Sequence, residues 1–187
     1  MKKALVERYS RNIILPEIGG VGQKRLALSR VLIIGAGGLG APILLYLTAS
    51  GVGQIGVIDF DDVSLSNLQR QVMFGSNDLG KSKVEIVKSR LDQLNPNTKI
   101  LGYSFALTNK NAKDIIVNYD LVIDGSDNSD TRYLVNRICF ELKKPLFSGG
   151  INQWDGYLSL YHPSEGSACY ECIFPAGENS NLQLNCS

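Results

Sequence analysis

The sequence lacks any long apolar run and any excess of one charge. No uninterrupted apolar stretch approaches the roughly 20 residues that cross a bilayer, which excludes a membrane-spanning protein. The 19 lysines and arginines nearly balance the 18 aspartates and glutamates, and no basic stripe indicates a nucleic-acid surface. The charged N-terminus, with Lys2, Lys3, Glu7 and Arg8, lacks the apolar stretch of a signal peptide. We therefore expect a cytoplasmic protein without a nucleic-acid or membrane partner.

Cysteine and histidine are scarce, and sequence repeats are absent. The chain has four cysteines, Cys139, Cys169, Cys172 and Cys186. So few cysteines indicate metal or thiol chemistry more than a disulfide framework. The single histidine, His162, has no evident acid or nucleophile partner, and we assign it no role. Without repeats or low-complexity stretches, residues 1–187 are predicted to form one domain with a sizeable buried core.

Strands and helices alternate along the chain. The apolar runs predict strands at 31–34, 54–60, 99–103, 121–123, 145–147 and 157–161. Helical spacing of apolar residues predicts helices at 41–50, 81–94, 111–118 and 130–142. This alternation predicts a Rossmann-like α/β fold, a mostly parallel sheet with helices on both faces, with binding sites at the carboxyl ends of the strands. The last residues, which have no periodicity, are predicted to form a mobile segment.

A glycine-rich turn follows the first predicted strand and opens a helix. Its glycines are Gly35, Gly37, Gly38 and Gly40. Backbone N–H groups left open by the missing side chains, together with the positive end of the helix, favour phosphate binding. Asp59 ends the next strand, where its carboxylate can accept hydrogen bonds from both ribose hydroxyls. These features fit ATP and NAD equally well.

A polar run after Asp59 distinguishes the two nucleotides. The run consists of Ser66, Asn67, Leu68, Gln69, Arg70 and Gln71, and Lys83 follows it. A triphosphate needs several cationic and amide donors around its phosphates, whereas a dinucleotide leaves these groups without a role. The pattern therefore favours ATP over an NAD-dependent oxidoreductase, although either Arg70 or Lys83 alone also fits a solvated surface charge.

Acidic and amide side chains follow a later predicted strand. Asp127 supplies the oxygen ligand that Mg²⁺ prefers. Asp127 and Asn128 also fit the cap of the helix that follows, and the two interpretations are compatible.

These motifs, in this order and spacing, resemble the ThiF/MoeB/HesA family of ubiquitin-activating-enzyme-like proteins, and the resemblance extends from Arg8 to Cys186. It implies that the chain uses ATP to adenylylate the C-terminal carboxylate of a ubiquitin-like sulfur-carrier protein, with sulfur supplied by a persulfide donor protein. The pathway that the resemblance implies is of the thiamin or molybdopterin type, and the chain looks somewhat closer to ThiF. A non-catalytic module that binds nucleotide or carrier is the other alternative.

The resemblance also implies roles for individual residues. The ATP-site positions are Gly38, Asp59, Asn67, Arg70, Lys83, Asp127 and Asn128. Arg11 resembles an arginine that dimers of this family insert into the ATP site of the neighbouring subunit. We therefore expect a homodimer. The alternative is that Arg11 is an ordinary exposed arginine on a helix. We expect Asn67, Arg70, Lys83 and Arg11 to neutralise charge on the leaving pyrophosphate.

The cysteines separate into three groups. Cys169 and Cys172 have the spacing of half a tetrathiolate Zn²⁺ site. The family usually supplies a second pair near its C-terminus, so we expect this chain to lack the C-terminal part of the family domain. Structural thiols are the alternative, and a redox pair is disfavoured because we expect no helix to begin there.

Cys186 follows Asn185, a context in which ThiF-like members link to the carrier, and an incidental cysteine fits equally well. Cys139 is predicted to lie in the core.

Overall fold

The computed structural model describes residues 2–175, which form a six-stranded sheet of order β3-β2-β1-β4-β5-β6. The strands are β1 (Arg30–Ile34), β2 (Gln54–Ile58), β3 (Lys99–Tyr103), β4 (Leu121–Asp124), β5 (Leu146–Asn152) and β6 (Asp155–Tyr161). Strands β1 to β5 pair in parallel, and β6 returns antiparallel along β5. The predicted Rossmann-like sheet is confirmed. The predicted mobile C-terminal segment and Cys186 lie outside the described residues.

Helices cover both faces of the sheet. They are α1 (Lys3–Arg8), α2 (Ser10–Ile13), α3 (Gly19–Leu28), α4 (Gly40–Ser50), α5 (Lys83–Leu94), α6 (Ala112–Ile116), α7 (Ser129–Glu141) and α8 (Tyr170–Ile173). Within residues 2–175, no helix is both long and apolar enough to cross a bilayer.

Strand β1 shows why the sheet holds two cores. Val31 and Ile33 point into one apolar cluster, which also takes in α4 and α5. Leu32 and Ile34 alternate with them and point into the other cluster, under α6 and α7. Because side chains alternate between the two faces of a strand, a strand buried on both faces reads as the unbroken apolar run seen in the sequence.

The register of the central strands brings their carboxyl ends to one edge. Ile34, the last residue of β1, is paired with Ile58 of β2 and with Asp124 of β4. The turns that leave these three strands therefore start side by side, and the polar residues predicted after them are brought together.

The three N-terminal helices were not predicted. Helices α1 and α2 bury none of their own residues, and α3 buries only Gln23, so no apolar periodicity marks them. Tyr9, between α1 and α2, anchors these two helices: it is buried, and its hydroxyl accepts a 2.8 Å hydrogen bond from the Asn95 amide. Helix α3 is attached through Gln23, whose side-chain amide donates a 2.8 Å hydrogen bond to the Ser50 carbonyl. Helix α5 begins at Lys83 rather than at residue 81, because Ser82 forms an antiparallel bridge with Asp62.

Candidate nucleotide-binding site

A cavity of about 510 Å³ lies at the carboxyl ends of β1, β2 and β4. Many of the predicted nucleotide-binding residues line it, namely Gly35, Gly37, Gly38, Asp59, Asn67, Arg70, Lys83, Asp127 and Asn128. Gly40, Ser66, Leu68 and Gln69 do not line it, and Leu68 instead packs against the core. The fold thus brings together side chains that are far apart in the sequence.

The glycine turn has specific steric requirements at its two ends. Gly35 has a φ of +88°, a backbone conformation that residues with side chains rarely adopt. A Cβ atom on Gly40 would lie 1.8 Å from the Gly35 carbonyl oxygen. Gly40 therefore closes the turn onto α4, and its role in the site is to let the turn form rather than to face the cavity.

The Asp59 carboxylate holds the glycine turn in place. Its Oδ2 accepts a 2.8 Å hydrogen bond from the Ala36 N–H, and its Oδ1 accepts a 2.9 Å bond from the Asp61 N–H. Burial raises the pKa of Asp59, and the two N–H groups and Lys83 oppose that rise only in part. Each carboxylate oxygen has a further lone pair, so Asp59 can also accept from a ribose.

Lys83 is a buried cation at the start of α5. It is 3% exposed, and its Nζ lies 2.8 Å from the Asp61 carboxylate and 3.9 Å from that of Asp59. Interpreting Lys83 as a solvated surface charge is therefore wrong. Arg70, by contrast, is exposed; its side chain lies over Gly38 and donates to the Ser66 carbonyl.

The loop from β4 to α7 presents Asp127 to the cavity. Asp124 is buried, and its Oδ1 accepts hydrogen bonds from the Ser126 N–H at 3.0 Å and the Ser126 hydroxyl at 2.7 Å. Burial raises the pKa of Asp124 in spite of these bonds. Asn128 caps α7 by accepting a 3.0 Å bond from the Thr131 N–H. Within residues 2–175, the Asp127 carboxylate has no hydrogen bond or ion pair, which leaves it available to a cation.

Asp124 and Arg132 escaped prediction as site residues, whereas Gln71 was predicted as part of the polar run. Gln71 and Arg132 line the cavity and are only 4% and 6% exposed. Among the described residues, the Gln71 Oε1 is buried without a hydrogen-bond partner. The detectable signal for Arg132 was its place, with Asn136 one turn later, on the side of the predicted helix that also carries Val135 and Cys139; two polar residues on a buried face need polar partners.

The cysteine pair lies away from this cavity. The Sγ atoms of Cys169 and Cys172 are 3.4 Å apart, and two thiolates sharing one tetrahedral zinc lie roughly 3.8 Å apart, so their placement suits that ion. Burial tends to raise the pKa of Cys169, but hydrogen bonds with Asn136 and Cys172 bring it below its usual value. No third histidine, cysteine or acidic ligand joins them within residues 2–175.

Two expectations about the cysteines are settled by the structure. The expectation that no helix begins at the pair is wrong: Cys169 immediately precedes α8, because the Tyr170 N–H is held at 2.9 Å by the Asn136 side chain. Cys139 is 1% exposed and burial raises its pKa to about 12, which confirms its place in the core.

Arg11 is exposed on α2 and does not line the cavity of its own chain.

Residues 9–187 match the ThiF family. A sulfur carrier protein adenylyltransferase of Thermus thermophilus is 46% identical over 177 residues, which are 92% of this chain and 65% of that protein. The adenylyltransferase and sulfurtransferase MOCS3 of Aedes aegypti is 46% identical over 181 residues, 97% of this chain and 41% of that protein. The chain thus spans between 41% and 65% of the length of these two relatives.

Solved structures share the fold. The E. coli protein MccB, crystallised with ATP, superposes with a TM-score of 0.80 at 29% identity, covering 88% of this chain and 50% of MccB. TcdA (CsdL) superposes with a TM-score of 0.77 at 28% identity, covering 82% of this chain and 62% of that chain.

Proposed function

This chain belongs to the ThiF family, and from that premise we propose that it uses MgATP to adenylylate the C-terminal carboxylate of a ubiquitin-like sulfur-carrier protein. The observation that carries the proposal is the cavity in which the glycine turn, Asp59, Arg70, Lys83 and Asp127 meet. Its two relatives named as adenylyltransferases support the same reaction class, and the structure of MccB with ATP supports the nucleotide.

ATP is proposed to lie with its ribose near Asp59 and its phosphates along the glycine turn. The N–H groups of the turn and the N-terminus of α4 attract the phosphates. Arg70 and Lys83 border the same cavity and supply the cationic groups that a triphosphate needs. Asp127 would hold Mg²⁺, which supplies charge neutralisation at the phosphates when it is bound.

The reaction proposed is an in-line displacement at the α-phosphate. A carboxylate oxygen of the carrier forms a bond to the α-phosphorus, the bond from that phosphorus to the bridging oxygen breaks, and pyrophosphate leaves with the electron pair. The carrier carboxylate is already ionised at neutral pH, so no general base is required. The task of Asn67, Arg70 and Lys83 is to orient the phosphates and to neutralise negative charge as it moves onto pyrophosphate.

A hydride-transfer enzyme that uses NAD is the rival function. NAD needs the glycine turn and Asp59, but it gives no role to Asp127 or to Lys83 beside the same cavity. Calorimetric titration of the chain with MgATP and with NAD separates the two functions. We expect MgATP to bind more tightly, and tighter binding of NAD would remove the proposal.

Several partners and sites are proposed with this function. A persulfide donor would bring sulfur to the adenylate, in a thiamin or molybdopterin type of pathway, and Cys186 would take part in the sulfur transfer. A homodimer in the cytoplasm would place Arg11 at the ATP site of the neighbouring subunit. Arg11 is exposed and does not line the cavity of its own chain, which supports that arrangement. Cys169 and Cys172 would contribute half of a structural Zn²⁺ site.

Carrier-dependent exchange of pyrophosphate into ATP tests the proposed function most directly. Candidate carriers are compared with the same carriers whose C-terminal carboxylate has been converted to an amide. We expect exchange with the free carboxylate and none with the amide, because the amide nitrogen is not an ionised nucleophile. Exchange that is equally fast with both forms, or absent with every carrier while ATP binds, would contradict the proposed reaction.

A further inference from the structure

Arg132 is a buried cation on α7 that lies at the cavity but outside the predicted set of ATP contacts. One of its terminal guanidinium nitrogens donates a hydrogen bond to the Ser126 carbonyl, and the other donates to the Tyr157 hydroxyl. The central guanidinium carbon lies 5.6 Å from the centroid of the Tyr157 ring. A buried charge requires such partners, since it has been removed from water. Arg132 is therefore fixed between the loop before α7 and strand β6.

Strand β5 leaves room for this pair. A Cβ atom on Gly150 would lie 2.9 Å from Arg132 Nη1 and 2.5 Å from the Tyr157 ring. A side chain at position 150 would displace either the guanidinium or the ring. The backbone of β5 thus passes closely beside the arginine and the tyrosine at the edge of the cavity.

The residues around Asp127 are fixed on both sides. The Ser126 N–H and hydroxyl donate to Asp124, and the Ser126 carbonyl accepts from Arg132. On the other side, Asn128 is held by its bond from the Thr131 N–H. Asp127 stands between these two anchored residues, and its carboxylate has no hydrogen bond or ion pair of its own within residues 2–175. The loop therefore sets the direction in which the Cα–Cβ bond of Asp127 points.

We propose that Arg132 is a positioning residue, which holds the Ser126 carbonyl so that the Asp127 carboxylate faces the nucleotide. This inference rests on the proposed function, because it assigns Arg132 a part in binding MgATP. An arginine suits the task better than a lysine: its planar fork reaches two acceptors in different directions, whereas an ammonium is a single point. Burial raises the pKa of the Asp124 carboxyl overall, and the positive charge of Arg132 opposes part of that rise.

A double-mutant cycle on MgATP affinity tests whether Arg132 acts through Asp127. The 187-residue chain is prepared in four forms: wild type, Arg132→Lys, Asp127→Asn and the double variant. We expect Arg132→Lys to weaken MgATP binding about tenfold in the wild-type background and less than about twofold in the Asp127→Asn background. Arg137→Lys is the matched control, since Arg137 is exposed on the same helix, and it should leave the affinity unchanged.

Each other result has a distinct meaning. An equal loss in both backgrounds overturns the inference, because Arg132 would then contact the nucleotide itself or support the fold in general. A wild-type chain that binds no MgATP overturns the proposed function and the inference with it. If Arg132→Lys fails to fold by circular dichroism, Tyr157→Phe takes its place in the cycle. It removes the hydroxyl that accepts from Arg132 but keeps the ring, and its effect on MgATP affinity should also shrink to less than about twofold in the Asp127→Asn background.

Discussion

At the scale of single residues, Asp127 is an exposed carboxylate that lines the cavity and contributes no core volume. We predict that Asp127→Ala lowers carrier-dependent pyrophosphate exchange on the order of 10²–10³-fold, because it removes charge stabilisation that is needed in the transition state. The melting temperature should stay within the error of the wild type. Asp130→Ala is the control: it removes the same charge on the first turn of α7, from a residue that does not line the cavity. Its rate of pyrophosphate exchange should equal that of the wild type. An unchanged rate in Asp127→Ala would mean that the metal is held elsewhere.

The buried Asp124 predicts a dependence of stability on pH. Burial raises its pKa in the folded chain, so the folded state binds more protons than the unfolded state between the unfolded pKa, about 3.9, and the raised pKa. The contribution of Asp124 to stability therefore falls as pH rises through that window. Asparagine does not titrate, so the Asp124→Asn variant lacks this loss. We predict that the free energy of unfolding of the variant minus that of the wild type increases as pH rises above 4. Urea titrations at several pH values measure it, and a difference that stays constant with pH contradicts the assignment.

The cysteines differ in reactivity because their environments differ. Cys139 is buried with its pKa raised to about 12, whereas Cys172 is exposed. With only two thiolates of a tetrahedral site identified, we predict that the 187-residue chain holds zinc weakly and that iodoacetamide modifies Cys169 and Cys172 long before Cys139. Mass spectrometry of peptides and elemental analysis measure both. Stoichiometric zinc that survives mild chelation would show that the ligand set proposed here is incomplete.

At the scale of elements, Gly51 shows how the N-terminal helices are attached. It ends α4 with a φ of +86°, and a Cβ atom there would lie 2.5 Å from the Tyr9 ring. We predict that Gly51→Ala costs about 1–3 kcal/mol more stability than Gly80→Ala, because it adds overpacking to backbone strain. Gly80 is a matched control, with a φ of +73° and open space around it. Equal losses in thermal or urea unfolding would show that Tyr9 moves aside freely.

Local sequence signals were sufficient for the strands, the longer helices and much of the site. The glycine turn and Asp59 follow apolar strands, and Lys83 lies in the predicted amphipathic helix at 81–94, so their elements and the edge of the sheet where they meet could be inferred. Helices α1 and α2 could not, because Tyr9 between them is anchored by Asn95, far along the chain, and α3 could not, because its one buried residue is the polar Gln23. Arg132 escaped for a similar reason: its partner Tyr157 lies on a strand that joins it only in the folded sheet.

At the scale of the whole molecule, Arg11 raises the question of a second subunit. It is exposed and outside its own cavity, and the proposed dimer places it at the neighbour's site. We predict that Arg11→Ala and Lys83→Ala chains are each inactive in pyrophosphate exchange, and that mixing them restores up to about half of the activity per heterodimer, since one of its two sites keeps both residues. If heterodimers form, as judged by tagged co-purification, and no activity returns, Arg11 acts within its own chain or has no role.

Strand β6 has a consequence for handling the protein. It stands last in the sheet order, and within residues 2–175 it pairs only with β5, while Leu158 and Leu160 on it are exposed. An unpaired edge with apolar side chains is a template on which another strand can add. During refolding from denaturant, before any partner covers this edge, intermolecular strand addition will compete with native assembly. The yield of folded chain should therefore fall steeply with protein concentration, and Leu158→Lys should relieve that dependence, because a charge on an edge strand opposes such pairing.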